Sequence, residues 1–400
     1  MQIRFVRSAL STAAVLTLAL GASAHAQSSV TLFGVVDLAF ESVKSNAGRQ
    51  SGIAPSGNTA SRLGFRGTED LGGGLAASFW LEAAIAANSG IGSSGTNTNN
   101  GATSTGAVAA GGLTFNRRAT VSLSGNFGEV RLGRDIVPSF WNYTVFDPFG
   151  AGSVGAIITN YTGAATTFVR ASNGVSYLLP SNLGGFYGQG TVAFGNQAST
   201  ATQTNSAGTT VDSSENGRYY GLRAGYAKGP IDVAAAYGQT KYINNGAQSF
   251  GNATNSLGAF GSFGNYTDTN FGGSYDFGVA KLLATVSQQK YNDFISLGNT
   301  KAVKGWSLGV NAPVGAGNVL AQLSSAKLDS AGKANKFAVG YVYNFSKSTA
   351  VYGTVARVSN SGGASLNAAS FSSAGFGGVN GAANVNGSST GIDAGIRVRF

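Results

Sequence analysis

The last thirteen residues, Ser388–Phe400, read SSTGIDAGIRVRF, and every second position back from the end is apolar: Phe400, Val398, Ile396, Ala394 and Ile392. The residues between them, Arg399, Arg397, Gly395, Asp393 and Gly391, are charged or lack a side chain. A strand sends successive side chains to opposite faces, so this segment has one apolar and one wet face. A helix would bring Arg397 and Asp393 together but scatter the five apolar residues around its axis. The stretch is a strand, and the rest of the chain decides what kind of sheet it joins.

The two-residue period recurs upstream. Leu32, Gly34, Val36, Leu38 and Phe40 oppose Asp37 and Glu41; Leu63 and Phe65 oppose Arg62 and Arg66; Leu75 to Ile85 sorts Phe79, Leu81 and Ala83 against Glu82. Ala119, Val121 and Leu123 oppose Arg118, Thr120 and Ser122, and Val130 and Leu132 oppose Arg131. The pattern continues in hairpin-like pairs to Phe345; only Ala350–Val358 resists phasing, because Val351 and Tyr352 compete for the apolar face. Counting the terminal strand gives sixteen.

The connections alternate in length. Short turns near residues 70, 127, 182, 229, 278, 315 and 347 alternate with polar stretches, the longer ones being Ser42–Ala60, Asn88–Gly112, Ile136–Thr167, Asn196–Asn216, Lys241–Thr267 and Ser359–Gly387. Transmembrane barrels have short periplasmic turns and long outer loops, whereas a soluble sandwich has no reason to sort loops by parity. Phe186, Tyr226, Phe277, Phe345 and Phe400 fall on apolar faces beside short turns, as an aromatic girdle at one membrane interface requires. Strands buried in lipid must close, since an open edge would leave backbone groups unpaired where no water reaches them. The expected fold is therefore an all-β, 16-stranded antiparallel transmembrane barrel whose polar inward faces line an aqueous lumen.

Composition agrees. Charged residues are 10%, against about 25% in ordinary soluble domains, Gly is abundant at 61 and Pro scarce at 6. Met1–Ala26 reads as a secretory signal: Arg4 and Arg7 precede an apolar run from Ala9 to Ala22, and Ala24-His25-Ala26 forms a small-residue cleavage site. The remainder, residues 27–400, is read as one barrel domain; removal of the signal's two arginines lowers the net charge from +10 to +8. There is no Cys, and His25 is the sole His, so the mature chain has neither imidazole nor thiol. Ser-His-Asp, Cys-His and His- or Cys-ligated metal chemistry are excluded, and no cofactor or metal is expected.

The motifs SRLGFRGTEDLGGGL (61–75), FNRRATVSLSGNFGEVRLGR (115–134), DPFG (147–150) and GIRVRF (395–400) resemble the general porins of Gram-negative bacteria, nearest to the neisserial, Bordetella and Burkholderia-type trimeric porins. The resemblance implies an outer-membrane homotrimer passing small hydrophilic solutes and ions. It also implies surrounding outer-membrane lipids, and barrel-assembly machinery that reads the C-terminal strand ending in Phe400. It further implies that the third long loop folds into the barrel; here that loop would be Ile136–Thr167, carrying Trp141, Asp147 and Phe149.

Selectivity of a pore resides in its width and the charges at its narrowest ring. Strand phase assigns Arg62, Arg66, Arg118 and Arg131 to the lumen, with Arg170 and Arg223 beside them. An Arg on the mid-membrane lipid face would cost about 2–4 kcal/mol. Arg117 has lipid-face parity but sits at the loop end of its strand. Asp147 is the candidate acid opposite this basic ladder, and the positive balance expects weak anion preference. Three rival readings stand beside this one. Nucleic-acid binding wants clustered Lys and Arg, whereas here they are dispersed. A glycosidase pair from Asp37 and Glu41 would be about 13 Å apart along a strand, too far for either geometry. A secreted or outer-membrane carbohydrate-binding or adhesive β-protein would need no pore.

Overall fold

The computed structural model describes residues 29–92, 99, 112–150, 152–157, 165–204, 210–242, 264–291, 301–328, 332–370 and 384–400. The expected signal, Met1–Ala26, lies outside the described residues. Sixteen staves run in chain order as β1 (Ser29–Ser45), β2 (Arg62–Gly72), β3 (Leu75–Ala86), β4 (Arg118–Gly125) and β5 (Gly128–Ile136), followed by a short helix, α1 (Pro138–Val145). Then come β6 (Arg170–Leu178), β7 (Phe186–Ala193), β8 (Tyr219–Lys228), β9 (Ile231–Thr240), β10 (Tyr266–Asp276) and β11 (Lys281–Tyr291). The last five are β12 (Lys301–Val314), β13 (Gly317–Leu328), β14 (Gly332–Asn344), β15 (Thr349–Ser361) and β16 (Ser388–Arg399).

Each stave pairs antiparallel with the next, and β16 pairs back with β1, with Val36 opposite Val398 and Leu38 opposite Ile396. Gly34 and Phe400 exchange backbone hydrogen bonds of 2.9 and 3.2 Å at the seam. The barrel is closed, so no edge faces lipid. Leu32, Phe40, Phe271, Val286, Leu308 and Ile396 stand exposed around the outside, while Asp37, Glu41, Gln189, Asp268, Gln322 and Asp393 are buried within. Among the described residues no helix is long and apolar enough to cross a membrane.

Phe186, Phe277, Phe345 and Phe400 are among the exposed large apolar side chains. Phe186 packs on Tyr226 at 4.9 Å, Phe277 on Tyr275 at 4.5 Å and Phe345 on Tyr343 at 5.1 Å.

One expectation changes. The stretch Ser42–Ala60 is mostly strand: β1 continues to Ser45, and Gly48–Pro55 folds back on it, with Ser45 opposite Gly48 and Leu38 opposite Pro55. Its alternation, with Val43 and Ala54 buried and Ile53 exposed, is masked by small and polar residues. A break at residues 56–61 then separates this arm from β2. Asp37 holds the break, accepting from the Gly57, Asn58 and Thr59 amides at 3.1, 3.1 and 2.6 Å and from the Tyr352 hydroxyl. That last bond also phases β15: Tyr352 points inward to Asp37, and Val355 points out.

Candidate functional site

Two unlike walls line the lumen. On β2–β6, regular strands present a cluster of arginines. Arg117 and Arg62 share Glu82, at 2.5 and 3.8 Å; Arg131 meets Asp135 at 2.6 Å and Glu129 at 2.9 Å; Arg118 approaches Asp135 at 3.6 Å. Trp80 stands between two guanidiniums, Arg118 at 4.5 Å and Arg66 at 5.2 Å from its ring, and its indole N–H donates to Glu82 at 3.2 Å. Arg66 also lies 5.4 Å from the Phe33 ring and, among the described residues, contacts no carboxylate. Guanidinium stacked on an aromatic face keeps its N–H fork free for a passing anion.

Register explains this cluster. Glu82 lies opposite Arg118 and Ser122 opposite Arg131, so alternate positions of β3, β4 and β5 meet on one face. Arg170 donates to the Arg117 carbonyl at 2.7 Å. Arg117 precedes the first residue of β4, so strand parity gives it no instruction, and it turns inward to Glu82. Arg134 has the parity of Val130 and Leu132, and what the alternation misses is its polar partners. Across β4 the register stays regular, with Gly133 opposite Thr120 and Arg134 opposite Ala119, and Asp135 keeps the face of Arg131. The irregularity is an extra residue of β6 between Ala171 and Gly174, facing Gly133 at φ +120°, a conformation favouring glycine. At this loop end of the strand Arg134 donates to the Asn116 carbonyl at 2.7 Å and the Ser172 hydroxyl at 2.8 Å.

The other wall, from β8 round to β16, carries the inserted loop. Its helix α1, PSFWNYTV, has proline in the first turn, where the missing N–H is no loss. Asn142 donates to Asn270 at 2.8 Å and to the Ala234 carbonyl at 3.2 Å, and Tyr143 donates to Asp268 at 2.9 Å. Arg223, on β8, donates to Asn142 at 2.8 Å, so it braces the helix and stands apart from the β2–β6 cluster. Phe140, Tyr143 and Phe168 form an aromatic cluster beneath the helix. Beyond it the chain hugs the wall because a Cβ on Gly272 would come within 2.2 Å of the Phe146 ring, and one on Gly309 within 2.6 Å of Pro148. Trp141 is half-buried on α1 and Phe149 is buried.

Asp147 does not stand opposite the arginines as expected. Its carboxylate is buried, accepts from the Phe149 and Ile157 amides at 2.9 and 2.8 Å, and accepts from Gln322 on β13 at 2.9 Å. Burial lifts its carboxyl to about 7 against the pull of these donors. The physical reason is local: an irregular loop has backbone N–H groups without ladder partners, and a nearby carboxylate satisfies them. Lys336 and Asp393 do the same work, Lys336 donating to the Ala156 carbonyl at 2.9 Å and Asp393 accepting from the Val154 amide at 3.3 Å. Glu41 accepts from the Ser370 amide and hydroxyl at 3.0 and 2.8 Å, so both members of the Asp37–Glu41 pair are structural anchors.

A closed sixteen-strand barrel with an apolar exterior, polar interior and internal loop defines a water-filled transmembrane channel. The chain belongs to the Gram-negative porin family, which it matches over residues 11–363. It is 36% identical over 398 residues to outer membrane porin protein 32 of Delftia acidovorans, covering 97% of this chain and 98% of that protein. It is 32% identical over 382 residues to an outer membrane porin of Bordetella pertussis, covering 85% and 91%. The anion-selective porin from Comamonas acidovorans superimposes with a TM-score of 0.73 at 35% identity, covering 93% of this chain and all of that one. The trimer form of OmpT from Vibrio cholerae shares the fold alone, with a TM-score of 0.62 at 15% identity over 93% and 99% of the two chains. The protein is a general diffusion porin of the Gram-negative outer membrane.

Proposed function

We propose that this porin passes small hydrophilic solutes with a preference for anions, and that the β2–β6 wall sets the preference. The observation that carries the reading is a local excess of charge: Arg62, Arg117, Arg118 and Arg131 share three carboxylates, Glu82, Glu129 and Asp135, and Arg66 and Arg170 stand beside them in no ion pair among the described residues. Charge fixed on a narrow lumenal wall is screened less than charge on outer loops. The negative side of a field across the constriction is not Asp147, whose oxygens are occupied by the loop. The likeness to an anion-selective porin at 35% identity supports the same reading.

The further parts of this reading are a homotrimer, supported by the trimeric form of a fold relative, and a signal removed before Gln27, supported by the Arg4–Ala26 pattern. Assembly through the Phe400 strand and absence of catalysis complete it. The engagement of Asp37 and Glu41 by backbone donors leaves them unavailable as an acid–base pair. In planar bilayers, replacing Arg62 and Arg118 by Gln is expected to lower the anion-to-cation permeability ratio; an unchanged ratio, with conductance intact, removes this wall from selectivity.

A further inference from the structure

On the short-turn side of the inserted helix, the lumenal wall of β7–β10 holds two opposite charges that do not pair. Arg223 of β8 lies opposite inward Gln189, and Asp232 of β9 lies opposite inward Ser274, so both face the lumen. Both are half-buried. Among the described residues the carboxylates in ion pairs are Glu82, Glu129, Asp135 and Glu215, and Arg223 is in no ion pair.

Tyr187 of β7 separates the two charges. Its hydroxyl donates to Asp232 Oδ1 at 2.6 Å and accepts from Arg223 Nη2 at 3.2 Å, and the guanidinium stacks 4.7 Å from its ring. Gly225, directly opposite Tyr187, permits this, since a Cβ there would strike the ring. A single hydroxyl thus stands where two oppositely charged side chains would otherwise close on each other.

Each charge keeps bonding capacity. Arg223 has five N–H donors and engages two of them among the described residues, Nε with Asn142 at 2.8 Å and Nη2 with Tyr187. Asp232 accepts through Oδ1, which leaves Oδ2 uncommitted among the described residues. Beside it Ser274, directly opposite and only 7% exposed, has a hydroxyl with no hydrogen-bond partner there. A buried hydroxyl left unpaired costs free energy that a ligand's donor would recover. The two charges also lie at different depths. Arg223 reaches Asn142 on α1, whereas Asp232 is the second residue of β9, just past the turn.

We propose that Arg223, Tyr187, Asp232 and Ser274 form a subsite for zwitterionic solutes of the amino-acid type. The remaining N–H groups of Arg223 take the carboxylate, and Asp232 Oδ2 with the Ser274 hydroxyl takes the ammonium. A lone anion gains Arg223 but meets Asp232, and a lone cation the reverse; a solute carrying both charges satisfies both. The subsite lies apart from the β2–β6 wall, and its preference does not require that wall to select anions.

Swelling of proteoliposomes containing the porin compares L-alanine with lactamide, which is uncharged and nearly the same size. Alanine is expected to enter about two- to fivefold faster, the factor that a water-exposed ion pair supplies. The preference should vanish in Asp232→Asn, which can still accept from Tyr187, and survive in Asp232→Glu. Tyr187→Phe keeps both charges but lets them close into a pair. It too should lose the preference, and it decides the outcome if the Asn variant does not fold. Equal rates for the two solutes in the unmodified protein overturn the subsite. So does a preference that persists in either folded variant, which assigns it to the field of the arginine wall. The reversal potential of the same proteins in planar bilayers reports the anion preference separately, so failure of one reading is distinguished from failure of the other.

Discussion

Glu82 on the arginine wall and Asp147 on the inserted loop are both buried carboxylates inside the same barrel, yet they answer to different partners. Glu82 meets Arg62 and Arg117. Asp147 meets two backbone amides and Gln322. The backbone around each explains the difference. On β2–β6 the strand ladder satisfies the main chain, so side-chain charges are left to face one another and the water. Where the loop leaves regular structure, its amides need acceptors, and the nearest acids turn to them. Fixed positive charge thus remains in excess on one wall, while charge on the other holds the loop in place.

The largest effect expected from disturbing this contrast is on the loop side. Asp147→Ala leaves the Phe149 and Ile157 amides and Gln322 without their acceptor, at about 1–3 kcal/mol for each buried group left unpaired. Single-channel traces should then show larger, noisier openings as the loop leaves the wall; a quiet trace at the parent conductance would contradict the anchoring role. The same anchor predicts a pH effect. Because burial raises the Asp147 carboxyl to about 7 from 3.8, the attachment is strongest below about pH 4. It weakens as pH rises through about 7, where charge forms in a buried place. The larger, noisier openings should be rarer at pH 4 than at pH 7.5, and Asp147→Asn should flatten that difference.

On the arginine wall the effects are smaller and change sign. Glu82→Gln frees Arg62 and Arg117 from their shared counter-charge. A lumenal charge at an effective dielectric between that of protein and water is worth about 0.5–1 kcal/mol, so anion preference should rise roughly two- to fivefold. The reversal potential in a salt gradient measures it. Trp80→Leu removes the platform under Arg66 and Arg118, about 0.5–1 kcal/mol at a hydrated site. It should slow no inorganic ion but shorten the dwell of planar carboxylates such as benzoate, read as blocking events.

Much of the contrast is legible in the sequence, and the failures are local. Period-two sorting gives the outward face of β1 from Leu32 to Phe40 and of β16 from Ile392 to Phe400, because lipid on one side and water on the other impose opposite demands at every step. It places Arg62, Arg66, Arg118 and Arg131 inside for the same reason. It misses Arg117, which precedes its strand, and the polar partners that Arg134 finds at the loop end of β5. It leaves β15 unphased because Tyr352 is aromatic yet inward, its hydroxyl committed to Asp37. Helix α1 and the orientation of Asp147 depend on contacts with β9, β10 and β13, more than ninety residues away in sequence. No local pattern encodes partners at that separation.

The central claim, that a wall of incompletely neutralised arginines governs passage, meets its most direct test in the unmodified protein. Its zero-current potential is measured across a planar bilayer with a tenfold KCl gradient. The arginine wall predicts a potential of the sign set by chloride, diminishing as total salt is raised and the wall is screened. A potential of zero, or of the sign set by potassium, would contradict it.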